Sequence, residues 1–218
     1  MKERRYSVIL GNLGNTCDRF CHQYKTTPPA LEMVKAAAEI PHVTGIELVG
    51  TWDIHPDNAA EMKRVLSDLG LTCVSIIPDL FSRPEFSKGA YSNPDSACRQ
   101  MAIDETRRMC DIALELGCDM LNLWPGQDGY DYLLAADYEK ERELACQAIV
   151  ELATAYPTLR FALEYKPKEP RTHCYLARMA DTILMAQETG CSHAGVTMDT
   201  GHSFVAGENP AEAVVLAR

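Results

Sequence analysis

The chain has 218 residues, 46% of them hydrophobic and 24% charged, which is enough for one domain with a substantial core and leaves no segment biased toward disorder. Its 21 basic and 31 acidic residues give a formal net charge of −10, which argues against a nucleic-acid partner, because phosphate binding needs a clustered basic surface. No apolar run reaches the roughly 18–20 residues of a membrane span, and the N-terminal residues lack the apolar stretch of a secretory signal, so the sequence reads as a cytoplasmic protein with no membrane partner.

Strand-like and helix-like segments then alternate. A strand over Tyr6–Leu10 is followed by an amphipathic segment over Pro29–Ile40. Strand Thr44–Val49 precedes helix Asp57–Leu69, and strand Thr72–Ile77 precedes helix Pro94–Leu116. Strand Met120–Trp124 leads to helix Asp137–Tyr156, and strand Arg160–Lys166 to helix Thr172–Thr189. Strand Gly195–Asp199 comes last, after which Asn209-Pro210 opens a final helix with a capping side chain and a proline at its first position. Most strands are near-continuous apolar runs, the pattern of a parallel sheet covered by helices. Gly70, Gly117 and Gly190 each follow a helix, where a left-handed cap favours glycine.

This tally of about six βα units, undivided by any linker, predicts an α/β fold. The choice lies between an open doubly wound sheet and a closed (β/α)8 TIM barrel. No glycine-rich phosphate loop follows the first strand, so no organic cofactor is expected. Polar residues end many strands rather than clustering at one switch point, which favours the barrel. A barrel of this kind needs eight units and roughly 250 residues, so the expectation is a single domain over 1–218 forming an incomplete barrel that lacks its last two βα units.

The nine cysteines are odd in number and scattered, which reads as reduced thiols acting as small core residues. Cys17-x-x-x-Cys21-His22 is the one cluster with metal-binding character, but no second pair stands at zinc-finger spacing.

Phe161-Ala-Leu-Glu-Tyr-Lys-Pro delivers a carboxylate, Glu164, and an amine, Lys166, two positions apart and therefore on one face of a strand. Pro167 stops the ladder, so the pair sits at the carboxyl end, where α/β proteins place their chemistry. The next strand runs into Asp199-Thr-Gly-His202. An inward-facing carboxylate in a barrel is costly unless a cation neutralises it, so Glu164, Asp199 and His202 are expected to share a divalent metal. Oxygen donors with one imidazole suit Mg²⁺, Mn²⁺ or Co²⁺. Each residue also has a plain structural reading: Asp199 as a helix cap, His202 as a surface histidine, and Lys166 as an ion-pair partner of Glu164. Asn122 and Trp124 alternate on one face of the fourth strand and are expected to bind substrate, Trp124 as the wall of a sugar pocket. Glu47 reads equally as a hydrogen-bonded carboxylate or a catalytic one.

Taken together, these segments resemble the xylose isomerases. Leu123-Trp-Pro-Gly-Gln-Asp-Gly-Tyr130 is similar to their W-G-G-R-E-G-Y motif, and Glu164-Tyr-Lys-Pro-Lys-Glu-Pro-Arg171 with His173-Cys-Tyr175 to their E-P-K-P-x-E-P run. Val196-Thr-Met-Asp-Thr-Gly-His-Ser-Phe-Val-Ala-Gly207 resembles V-N-I-E-x-N-H-A-T-L-A-G, and Asp79-Leu-Phe-Ser-Arg-Pro-Glu-Phe86 echoes N-L-F-x-x-P-x-F. The resemblance spans roughly residues 70–210 in order.

It implies a metal-dependent sugar isomerase on a xylose isomerase-like TIM barrel, interconverting an aldose and a ketose by a metal-assisted 1,2-hydride shift. Glu164, Asp199 and His202 would be metal ligands, Asp199 standing where the family has glutamate. Lys166 and His202 would be catalytic, Lys166 at the substrate oxygen near the migrating hydrogen. A dimer or tetramer is implied, with Phe20 reaching a neighbour's pocket. Two departures qualify this. Gly45-Ile-Glu-Leu-Val-Gly-Thr-Trp52 lacks the histidine of the family's second strand, which points away from xylose itself and toward rhamnose isomerase-like or epimerase-like branches, and ligands from a seventh and eighth strand are missing. The alternatives are a ketose 3-epimerase of the same superfamily working by proton transfer, or an inactive sugar- or metal-binding remnant. An endonuclease on the same barrel is disfavoured by the acidic charge.

Overall fold

The computed structural model describes residues 5–14 and 25–218, so the Cys17, Cys21 and His22 cluster and Phe20 lie outside the described residues. The chain divides into two compact units, one running up to Ile77 and including Arg108–Met120, the other comprising Pro78–Arg107 and Leu121–Arg218.

The first unit holds β1 (Tyr6–Ile9), α1 (Ala30–Ala38), β2 (Val43–Val49), α2 (Ala59–Leu69) and β3 (Thr72–Ile77), together with the C-terminal part of α3 (Ser96–Leu116). Its strands are parallel and adjacent in chain order, with Ile9 opposite Glu47 and Glu47 opposite Ser75. Ile46 and Leu48 are fully buried, as is Val34 of α1 and Met62 of α2, and each such side chain contributes roughly 1.5–3 kcal/mol of apolar burial. Between Ile46 and Leu48, Glu47 points the other way and accepts a 2.7 Å hydrogen bond from Ser75 Oγ. Gly70, at φ 68°, closes α2 in the left-handed conformation that its position after the helix predicts.

The second unit holds β4 (Met120–Leu123, from Leu121 on), β5 (Gly129–Tyr130), α4 (Tyr138–Ala155), β6 (Arg160–Glu164) and β7 (His173–Cys174). These are followed by α5 (Met179–Glu188), β8 (Ala194–Thr197), α6 (Thr200–Val205) and α7 (Pro210–Leu216). β6 lies between β4 and β8, and it pairs with β8 in parallel register, placing Glu164 opposite Thr197. Phe161, Leu163 and Tyr165 are fully buried and alternate with Ala162 and Glu164, so strand periodicity sends the carboxylate to the face opposite the large apolar side chains.

Several boundaries differ from the sequence reading. α5 was expected from Thr172 but begins at Met179, because His173 and Cys174 pair antiparallel with Tyr130 and Gly129. β6 ends at Glu164, leaving Lys166 just beyond the ladder, where its N–H donates to Leu176 O at 2.9 Å. α6 appears in the sequence reading only as the turn that Asp199 would cap, without a helical range. No helix among the described residues is long and apolar enough to cross a membrane.

Candidate metal centre

Three neighbouring strands of the second unit deliver the central side chains. β4 carries Asn122, β6 ends in Glu164, β8 ends in Thr197, and Asp199 follows as the N-cap of α6. Asp199 has extended backbone, and its Oδ1 accepts a 2.7 Å hydrogen bond from the His202 N–H. Capping thus forces one turn between the two residues, and that turn swings the imidazole back over its own cap. His202 Nδ1 lies 3.5 Å from Asp199 Oδ2 and 3.2 Å from Glu164 Oε1. One ligand atom from each of Glu164, Asp199 and His202 falls within 4.8 Å of the others. The structure therefore brings the three expected ligands together.

Glu164 and His202 are sheltered, at 13% and 19% exposed, while Asp199 is 36% exposed. Burial by itself would lower the His202 imidazole, but contact with Glu164 and the charges of Asp199 and Glu164 outweigh it and hold its pKa above the ordinary value. Two carboxylates facing one imidazole nitrogen call for positive charge between them. His202 Nδ1 is buried and has no hydrogen bond of good geometry to either carboxylate. A buried nitrogen without a bonded partner, facing two carboxylate oxygens, fits a divalent cation of the Mn²⁺, Mg²⁺ or Co²⁺ kind.

Lys166 does not pair with Glu164. Its Nζ lies 3.0 Å from Glu169 Oε2 and 5.3 Å from the centre of the Trp124 ring. Trp124 meets Phe81 edge-on at 4.7 Å between ring centres, and any Cβ at Gly126 would come within 2.7 Å of its indole. Phe81 is held by its own loop: Asp79 Oδ1 accepts from the Ser82 N–H at 3.0 Å, and the Gln127 amide donates to Phe81 O at 2.8 Å. The result is a fixed aromatic corner beneath a lysine.

Asn122, expected to bind substrate, is 4% exposed and engaged at both ends of its amide. Its Nδ2 donates to Glu164 Oε2 at 2.6 Å, and its Oδ1 accepts from Thr197 Oγ1 at 2.8 Å. Sequence reasoning missed Thr197. The signal was present, since Thr197 and Asp199 share the period of two that singled out Glu164 and Lys166. Phe81 was visible only as part of the longer motif.

A family model described as xylose isomerase-like TIM barrel matches residues 34–218. A xylose isomerase from Thermus thermophilus is 30% identical over 161 residues, covering 71% of this chain and 41% of that protein, so the chain spans about two-fifths of that relative's length. Among solved structures, an L-ribulose 3-epimerase aligns with a TM-score of 0.74 at 16% identity, covering 99% of this chain and 67% of that one. A 3-keto-D-glucoside 4-epimerase from E. coli aligns at 0.72 and 16% identity, covering 90% of this chain and 73% of that one. At these identities the structural likeness speaks for the fold alone, an α/β barrel type. With the motifs in order, the fold matched and the carboxylate–imidazole cluster assembled, the chain belongs to the xylose isomerase-like TIM-barrel family.

Proposed function

We propose that this chain carries the metal-and-lysine portion of a sugar isomerase site, acting on an aldose–ketose pair. The observation that supports it best is the convergence of Glu164, Asp199 and His202 within 4.8 Å at the ends of adjacent strands, with Lys166 following Glu164 by two residues. A divalent cation held by these three side chains would supply Lewis acidity to adjacent sugar oxygens and favour a 1,2-hydride shift. The Lys166 ammonium donates to the substrate carbonyl oxygen, sharing or exchanging its contact with Glu169. Trp124 offers a flat apolar face to the sugar, and Phe81 packed on its edge keeps water from that side. His202, in its neutral form, would complete the set of side chains that hold the cation, beside the two carboxylates.

A second reading, ketose epimerisation by proton transfer, is favoured by the fold's likeness to two structures named as epimerases. Solvent isotope separates the two. A hydride shift carries the substrate's own hydrogen, so product formed in D₂O holds no carbon-bound deuterium. Passage through an enediolate introduces it. The assay uses Mn²⁺, a panel of pentoses and 6-deoxyhexoses, and both this chain and the longest natural reading frame containing it. An aldose–ketose product without carbon-bound deuterium supports the isomerase, an epimer carrying deuterium at the inverted carbon supports the epimerase, and no turnover with any sugar removes both. Glu164→Gln is expected to lose bound Mn²⁺, and a variant that keeps full metal content would withdraw Glu164 as a ligand.

A further inference from the structure

We propose that Asn122 and Thr197 form a positioning relay that fixes which oxygen of Glu164 faces the cation, an inference that rests on the metal site proposed above. Three contacts carry it in sequence. Thr197 Oγ1 donates to Asn122 Oδ1 at 2.8 Å, Asn122 Nδ2 donates to Glu164 Oε2 at 2.6 Å, and Glu164 Oε1 is left 3.2 Å from His202 Nδ1.

The direction of this chain follows from the chemistry of its last member. An ionised carboxylate only accepts, so the amide nitrogen of Asn122 must face Glu164 and its oxygen must face Thr197. A threonine hydroxyl can donate or accept, and here it is obliged to donate. Asn122 is 4% exposed, so water offers no ready substitute for either partner. Thr197 sits directly opposite Glu164 in the parallel register of β6 and β8, and its branched Cβ restricts the rotamer that aims the hydroxyl. The relay thus crosses three strands in one layer of side chains. Glu164 Oε2 is claimed by the amide and Oε1 is presented to the site. Asn122 consequently serves the substrate through Glu164 rather than by touching it.

Outer partners of this kind typically change metal affinity by about 10–100-fold when removed. The test measures Mn²⁺ binding by calorimetry and by the loss of the free-ion electron paramagnetic signal, alongside thermal melts, on the wild type, Asn122→Leu, Thr197→Val, Thr197→Ser and the double variant. Thr197→Val keeps the shape and removes only the hydroxyl, so it reports on the relay even if Asn122→Leu folds poorly. Asn122→Leu is expected to weaken Mn²⁺ about 10–100-fold, Thr197→Val several-fold, and Thr197→Ser to restore near-wild-type affinity. Because the two residues act through one chain, the double variant should bind no more weakly than Asn122→Leu alone. Wild-type binding with unchanged affinity in Thr197→Val, or with losses that simply add in the double variant, overturns the relay. A wild type that binds no Mn²⁺ overturns the metal site itself, and so is told apart from failure of the relay.

Discussion

Replacing Gly129 by alanine should loosen the segment that flanks the candidate site, and the size of the effect can be worked from contacts. A Cβ on Gly129 would lie 2.0 Å from His173 O and 2.8 Å from Cys174 Cα, against 3.4 Å for ordinary contact. Both obstacles are backbone, so no rotamer change relieves them. The segment 173–175 has to move, which strains the pairing of Gly129 with Cys174 and of Tyr130 with His173. It also strains the bonds from the Cys174 N–H to Pro167 O at 3.1 Å and from the Tyr175 N–H to Asp128 O at 3.0 Å. Overpacking typically costs about 1–3 kcal/mol, and each weakened hydrogen bond adds about 1 kcal/mol. The restricted unfolded chain of alanine returns about 0.4–1 kcal/mol, which leaves a net loss of about 3 kcal/mol. With a urea slope of about 2–3 kcal/mol per molar, the unfolding midpoint should fall by about 1 M. Gly195→Ala is the control, since a Cβ there meets nothing within 4 Å. A Gly129→Ala midpoint within about 0.2 M of wild type would refute the steric argument, because the His173 carbonyl, 2.0 Å from the added Cβ, cannot give way without cost.

Two further outcomes follow from buried polar groups. Burial, reinforced by the Glu141 carboxylate, pushes the Tyr175 phenol well above its usual range, so it remains a donor to Glu141 Oε2 at 2.6 Å. Tyr175→Phe should cost about 1.5–3 kcal/mol, because Glu141 is 8% exposed and loses a charge-assisted bond, and a melt unchanged from wild type would show the contact to be neutral. Burial also raises the Asp128 carboxyl above its ordinary value, although the Ser92 and Ala90 N–H groups donate to its Oδ1. The folded state therefore holds that proton more tightly than the unfolded one. The linked stability is present below the unfolded value near 4 and is lost as pH rises through the folded value. Wild type minus Asp128→Asn, followed by urea unfolding between pH 4 and 7, should decline with pH, and a flat difference would contradict the assignment.

How much of this was legible in the chain varies from residue to residue. Glu164, Asp199 and His202 were readable because strand alternation and a capped turn are local rules that hold regardless of partners. Gly70 was readable for the same reason. The late start of α5 was not, because a two-residue pairing such as His173–Cys174 with β5 leaves no periodicity to detect. α6 escaped because six residues that include Gly201 and Val205 carry little intrinsic helical preference, and it forms on the strength of its cap. The partner of Lys166 depends on how the segment after Pro167 folds back, which places Glu169 within reach. The role of Asn122 depends on register between strands far apart in sequence, which spacing along one strand does not encode.

Asp199 divides its two oxygens between separate duties, Oδ1 holding the start of α6 and Oδ2 facing the imidazole. Chemistry and backbone order are thus tethered to a single short side chain. Any ion that draws on this carboxylate will also tug on the first turn of the helix, so occupancy should be legible in the amide exchange of residues 202–205. By the same token, a substitution at 199 speaks about both at once, and its effect on ion binding has to be read together with the integrity of that turn.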